Sequence, residues 1–141
     1  MSVSIKIQRL HPAAVLPTVY HDGDAGFDLV LPEPLELMPG ERKKVALGIA
    51  VELPEGTVGL MWDRSSKAND GLKSMGGVID ASYRGQLYCI LLNTSTEPLS
   101  YPAGTAILQL VVQPVLRPAL EEVDSLSDTT RGDGGFGSTE R

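Results

Sequence analysis

Cysteine occurs once in the 141 residues, at Cys89. A single thiol excludes an intrachain disulfide and a thiolate metal cluster. Its place in the apolar run Gln86 to Leu92 marks it as a small core residue rather than a nucleophile. Histidine occurs twice, at His11 and His21, which is too few for a histidine-based zinc site. Basic residues are also scarce: 12 Lys and Arg stand against 18 Asp and Glu, a net charge of −6. No nucleic acid polymer is expected as a partner, because a phosphate backbone needs a basic face. A small anion stays within reach, since a few local arginines can outweigh the global charge. No apolar run is long enough to span a bilayer, and Met1 to Lys6 lacks the apolar region of a signal peptide. No membrane partner is expected, and the cytoplasm (host cytoplasm for a viral source) is the expected location.

What is present describes a soluble globular chain, 42% hydrophobic and 21% charged, long enough to bury one core. Val3, Ile5 and Ile7 alternate with Ser4, Lys6 and Gln8, the period of a half-buried strand. His11 to Gly26 is irregular, with Pro12, Pro17 and the turn-rich His21-Asp22-Gly23-Asp24. Strands are expected over Phe27 to Leu31, Leu35 to Met38, Lys43 to Leu53 and Val58 to Trp62. Gln86 to Leu92 and Ala106 to Val112 are the most apolar strands and belong at the centre. The one helix expected is Ser66 to Asp70, with Ser65 or Ser66 as its cap and Gly71 as its stop. Turn signals recurring between short strands predict an all-β sandwich or barrel.

Gly76-Gly77-Val78-Ile79-Asp80-Ala81-Ser82-Tyr83-Arg84-Gly85 is the stretch around which the chain is organised. Its glycines permit positive φ or close approach to the backbone. An apolar pair pins the middle and Asp80 is presented at a turn, where a carboxylate is a candidate general base; an Asp that caps its own turn is the plainer reading. The end of the chain differs in kind. Leu120 to Thr130 is polar and acidic, and Arg131 to Arg141 is rich in glycine, a composition typical of disorder. Within it Arg131 offers a fork for phosphate, glycine N–H groups an anion nest, and Phe136 a face for a base.

Five segments, taken in order, resemble the motifs of the trimeric dUTP diphosphatases (dUTPases). They are Ala25-Gly26-Phe27-Asp28-Leu29, Arg64-Ser65-Ser66, Gly77 to Gly85, Gly104-Thr105-Ala106-Ile107-Leu108-Gln109-Leu110, and Arg131 to Thr139. The resemblance implies a jelly-roll-like homotrimer with one short helix, in which residues 1–120 form the β domain and 121–141 a C-terminal arm. It implies hydrolysis of dUTP to dUMP and diphosphate, with Asp80 activating the water. Arg64, Ser65 and Ser66 would hold phosphates, with Gln109 in support. Asp28 would hold Mg²⁺ through water. Tyr83 would pack beneath the deoxyribose, and Gly77 and Ser74 would face the uracil. Arg131, Gly137 and Ser138 would wrap the phosphates while Phe136 covers the base. Each site would draw its motifs from three chains.

The chain also departs from the family pattern. Asp63 stands for the usual Pro of the second motif, and Ser66 and Lys67 stand for Gly and Leu. The fourth motif has Ala106 in place of Arg, and Asn69 to Gly76 is shorter than in many relatives. Two alternatives share the fold: a dCTP deaminase or bifunctional enzyme, and a non-catalytic jelly-roll trimer. Deaminases of this group carry a Glu where this chain has Ile90, and no Glu occurs between Gly56 and Asn93.

Overall fold

The computed structural model describes residues 3–138. In chain order its elements are β1 (Lys6–Arg9), β2 (Gly26–Val30), β3 (Leu35–Leu37), β4 (Arg42–Glu52) and β5 (Thr57–Asp63). There follow α1 (Ser65–Asn69), β6 (Leu72–Met75), β7 (Val78–Asp80), β8 (Gln86–Asn93), β9 (Leu99–Tyr101) and β10 (Ala106–Pro114). One sheet runs β1-β4-β8-β6, a second runs β2-β10-β5-β7, and β3 pairs with β9. All of these pairings are antiparallel. The all-β, jelly-roll-like expectation holds, with one short helix.

Period-two patterning places the core between the sheets. Along β8, Leu87, Cys89, Leu91 and Asn93 point inward, while Tyr88 and Ile90 are exposed. Leu29, Leu31, Leu37, Leu47, Ile107 and Leu110 meet them in one cluster. β4 escapes the alternation from Leu47 to Val51, all buried. Its register on β8 shifts between Ala46 and Ala50, and Gly48, at φ 71°, lies within that irregularity. Cys89 is core, as its setting predicts, and burial pushes its thiol up to about 12. Among the described residues no helix is long and apolar enough to cross a membrane.

Several boundaries differ from the sequence reading. The first strand starts at Lys6, not Val3, because its pairing with β4 begins at the register Lys6–Glu52. The alternation itself is right: Ile5 and Ile7 pack on the core while Lys6 and Gln8 stay exposed. The helix begins one residue early, and its N-cap is Arg64, with no side-chain capping bond. Ser65 and Ser66 therefore lie inside the first turn with exposed side chains. Gly71 does terminate it, at φ 93° and with its N–H on the Ala68 carbonyl. β6, β7 and β9 were not anticipated as strands; each is three or four residues long and is defined by its pairing rather than by a pattern of its own.

One buried polar side chain organises the loops at the end of β8. Asn93, fully buried, donates its amide to the Leu37 and Glu97 carbonyls at 3.0 and 2.8 Å. Its Oδ1 accepts the Ser95 N–H and hydroxyl at 2.9 and 2.7 Å. Replacing Asn93 by Leu keeps the branched shape but removes all four bonds from a buried position. The expected loss is about 2–4 kcal/mol of stability, read by urea unfolding.

Candidate active site

Two separate clusters of chemistry-bearing residues emerge from the fold. The first lies at one end of the second sheet. Asp28 of β2 pairs in register with Gln109 of β10, which pairs with Trp62 of β5. Because Phe27 and Leu29 flank it, Asp28 points to the opposite face of its strand. Arg64, just past β5, brings Nε to 3.3 Å from Asp28 Oδ1 and donates Nη1 to the Ala106 carbonyl at 3.1 Å. Gln109 donates its amide to the Asp63 carbonyl at 2.9 Å, which leaves it one further N–H. A side chain at Gly26 would collide with the Gln109 amide, so glycine there lets Gln109 keep its place.

These residues line a polar cavity of 260 Å³ together with Tyr20, Asp24, Ser65 and Ser66. Neither serine is spent on capping the helix. The cavity thus offers a guanidinium, two hydroxyls and an amide, the donors a phosphate chain requires. Among the described residues no group of three or more His, Cys, Asp or Glu could hold a metal. Sequence reasoning missed Tyr20 and Asp24; the turn His21 to Asp24 gave a signal, but nothing in it showed which way it folds.

The second cluster surrounds Asp80. This residue ends β7, is exposed, and accepts the Tyr83 N–H on its carbonyl at 3.0 Å. Tyr83 closes the turn by donating its hydroxyl to the Gln86 carbonyl at 2.9 Å. Its ring lies where a side chain on Gly85 would clash. Just upstream the chain changes sheets. The β6–β8 ladder stops at Met75–Ile90, and β7 joins β5 instead. Gly76 and Gly77, at φ 73° and 102°, make the crossing. Beyond Ile90, toward Gln86, β8 has an open edge on the β6 side, with backbone groups free to read a planar polar ring.

The two clusters are not brought together. In the second sheet, three strand spacings separate Asp28 from Asp80, roughly 14 Å. Their rows, at Trp62 and Val58 on β5, are four residues apart, roughly a further 13 Å. The separation is therefore about 20 Å. Among the described residues no hydrogen bond ties the C-terminal arm to either cluster. The Val115 N–H on the Gly56 carbonyl is its last backbone tie to the body among the described residues, and the backbone bonds further on close turns within the arm. Arg131 Nε donates to the Gly134 carbonyl at 2.9 Å. Phe136 is fully exposed at φ 50° beside Gly137 at φ 84°, and Ser138 N–H bonds the Gly135 carbonyl at 3.0 Å. Thr139 lies outside the described residues.

Fold and clusters define a jelly-roll-like protein equipped for a phosphorylated ligand, with a carboxylate displayed apart from the phosphate donors. The dUTPase family model matches residues 13–140. A deoxyuridine 5'-triphosphate nucleotidohydrolase of Mycolicibacterium gilvum is 47% identical, over 99% of this chain and 96% of the relative. A variant dUTPase of Staphylococcus bacteriophage 80alpha with dUpNHpp superposes with a TM-score of 0.90 at 28% identity, over 96% and 97% of the two chains. A variant dUTPase of phage phi11 of S. aureus, a structure that reveals the coordination of a structural Mg(II) ion, has a TM-score of 0.81 at 27% identity, over 86% of this chain and 97% of the other. This chain belongs to the dUTPase family.

Asp63 is a site-adjacent residue whose environment carries a pH consequence. Burial raises its carboxyl, but the hydrogen bond and charge of Lys73 and the hydrogen bonding of Ser74 outweigh that and hold it below its ordinary 3.8. A depressed folded-state value means that the contribution to stability is complete above the unfolded value and fades as pH falls through the folded one. Asp63→Asn should therefore shrink the loss of stability on acidification below about pH 4, measured by urea midpoints across that range.

Proposed function

We propose that this chain hydrolyses dUTP to dUMP and diphosphate, with its active sites assembled between subunits. The observation that carries the reading is the polar cavity in which Arg64 stands beside Asp28 with two serines not spent on capping the helix, in a member of the dUTPase family. The M. gilvum relative bears the name of this activity, and a relative of like fold holds dUpNHpp.

In the proposed reaction Asp80 takes a proton from a water whose oxygen attacks the α-phosphorus. The bond from that phosphorus to the oxygen bridging the β-phosphate breaks, and diphosphate departs. Arg64 holds the phosphates as a planar fork, Ser65 and Ser66 donate hydroxyls, and Gln109 donates its remaining amide hydrogen. Tyr83 packs beneath the deoxyribose, held in place by its bond to Gln86. Gly77 and the open edge of β8 read the uracil, and Ser74 holds the hairpin beside it. Asp28 is a partly exposed carboxylate beside Arg64, with Asp24 lining the same cavity; it would hold Mg²⁺ through water, as suits a hard cation that takes most of its ligands from phosphate. Such an ion supplies neutralisation of phosphate charge when bound.

Assembly follows from the separation of the clusters. A general base must come within hydrogen-bond reach of the attacking water, and about 20 Å is too far for Asp80 to serve a phosphate chain held by Arg64 of its own chain. A homotrimer brings the Asp80 of one chain to the Arg64 cavity of another. The outer face of the second sheet, with exposed Trp62 and Val78 beside half-buried Leu60 and Val111, offers an apolar surface for that contact. Residues 121–141 act as an arm. Leu116 to Thr130, about 15 residues, spans roughly 45–55 Å when extended, enough to carry Arg131, Phe136, Gly137 and Ser138 onto a neighbour. The cytoplasm, where deoxynucleotides are consumed, is the proposed location, with no membrane or nucleic acid polymer as partner.

Diphosphate release with Mg²⁺ over dUTP, dCTP, dTTP and UTP should be confined to dUTP. Asp80→Asn should lower turnover by about 10² or more with little change in nucleotide affinity. Near-normal turnover would remove Asp80 from the mechanism, and ammonia release from dCTP would favour the deaminase.

Subunit sharing has its own test. Chains lacking residues 131–141, mixed with full-length Asp80→Asn chains, should regain turnover, because some sites then combine an intact Asp80 with a neighbour's arm. Parents that stay inactive in verified mixed trimers would assign each arm to its own chain's Asp80.

A further inference from the structure

Asp63 occupies a position where the family usually has proline, and the fold gives it three bonds. Its carbonyl accepts the Gln109 amide at 2.9 Å. Its carboxylate accepts Lys73 Nζ at 2.6 Å and the Ser74 N–H at 2.8 Å. Ser74 lies on β6, an edge strand of the first sheet, so this N–H would otherwise point from an unpaired edge. Two residues earlier on β5, the Met61 N–H bonds the Gly77 carbonyl at 2.8 Å. β5 therefore grips the crossing segment at both ends, with Asp63 on Ser74 and Met61 on Gly77. Between them lie Met75 and Gly76, where the chain leaves one sheet for the other.

We propose that Asp63 is a positioning residue for base recognition, its carboxylate fixing the Ser74 edge so that the Gly76–Gly77 crossing keeps the spacing from β8 that admits uracil. The inference rests on the dUTP reading above. The physical reason is geometric. Both glycines sit at positive φ and lack side chains to lock them, so their position depends on the anchors on either side. The downstream anchor is a backbone bond that most residues at position 61 would supply. The upstream anchor depends on the side chain at position 63. A proline there would have no carboxylate to offer, and this chain combines the Asp with a shortened Asn69 to Gly76 segment.

The full-length chain is compared with Asp63→Ala, Asp63→Asn, Asp63→Glu and Lys73→Met in steady-state kinetics with dUTP and dCTP, alongside thermal midpoints. Asp63→Ala should raise KM for dUTP about tenfold, the worth of one hydrogen bond lost, with kcat within about threefold. The preference for dUTP over dCTP should fall by a similar factor. Asp63→Asn keeps an acceptor for the Ser74 N–H and should restore most of both. Lys73→Met should lower the thermal midpoint with KM and preference unchanged. Asp63→Glu preserves charge and fold but displaces the acceptor by one methylene, and should raise KM if Asp63→Ala does not fold. An Asp63→Glu enzyme with wild-type KM and preference overturns the inference, as does an Asp63→Asn enzyme as impaired as Asp63→Ala. Wild-type chain without dUTP turnover instead overturns the functional reading on which this one stands.

Discussion

Gly77 has no room for a side chain: a Cβ there would stand 2.8 Å from the Met61 carbonyl oxygen, on a backbone already at φ 102°. This close approach lets the chain leave the first sheet after Met75 and join the second at Val78. The position of Asp80 follows, because β7 is only three residues long and ends on it. So does the open edge of β8, which exists because β6 stops short of it. A continuous hairpin would have paired that edge and left neither a slot for a ring nor an isolated carboxylate.

The other half of the chemistry rests on a balance of charge. In a chain of net charge −6, an anionic triphosphate is repelled at long range and must be won locally. In the proposed reading Arg64 provides that, yet Asp28 already opposes it at 3.3 Å. The pair is partly exposed, so its mutual attraction is screened and leaves the guanidinium available to a multivalent phosphate. Three other groups hold the segment around Arg64 in place. Gln109 secures the Asp63 carbonyl, the Asp63 carboxylate secures β6, and the short helix carries Ser65 and Ser66 to the cavity with neither spent on capping it.

Where the sequence carried a period or a breaker, it was legible. The apolar run Gln86 to Leu92 announced a central strand with Cys89 inside, and Gly71 announced the end of the helix. Where an element was defined by its partner alone, it was not. β6 and β9 have too few residues to show a pattern and exist because β8 and β3 lie beside them. Ser65 looked like a cap because serine favours that position, but the turn out of β5 placed Arg64 there instead.

The residue types needed for phosphate chemistry, the all-β class and the motif order were all written in the one-dimensional chain, since they depend on side-chain identity and local spacing. Which of those residues meet was decided by tertiary structure. Asp28 reaches Arg64 only through the ladder of β2, β10 and β5, and the same sheet keeps Asp80 about 20 Å away. Ser74 reads in sequence as the residue nearest the base, and only the fold shows that its N–H bonds Asp63, eleven positions back. Hydrogen-bond register between strands remote in sequence sets these distances, and a one-residue slip would turn each of these side chains to the other face.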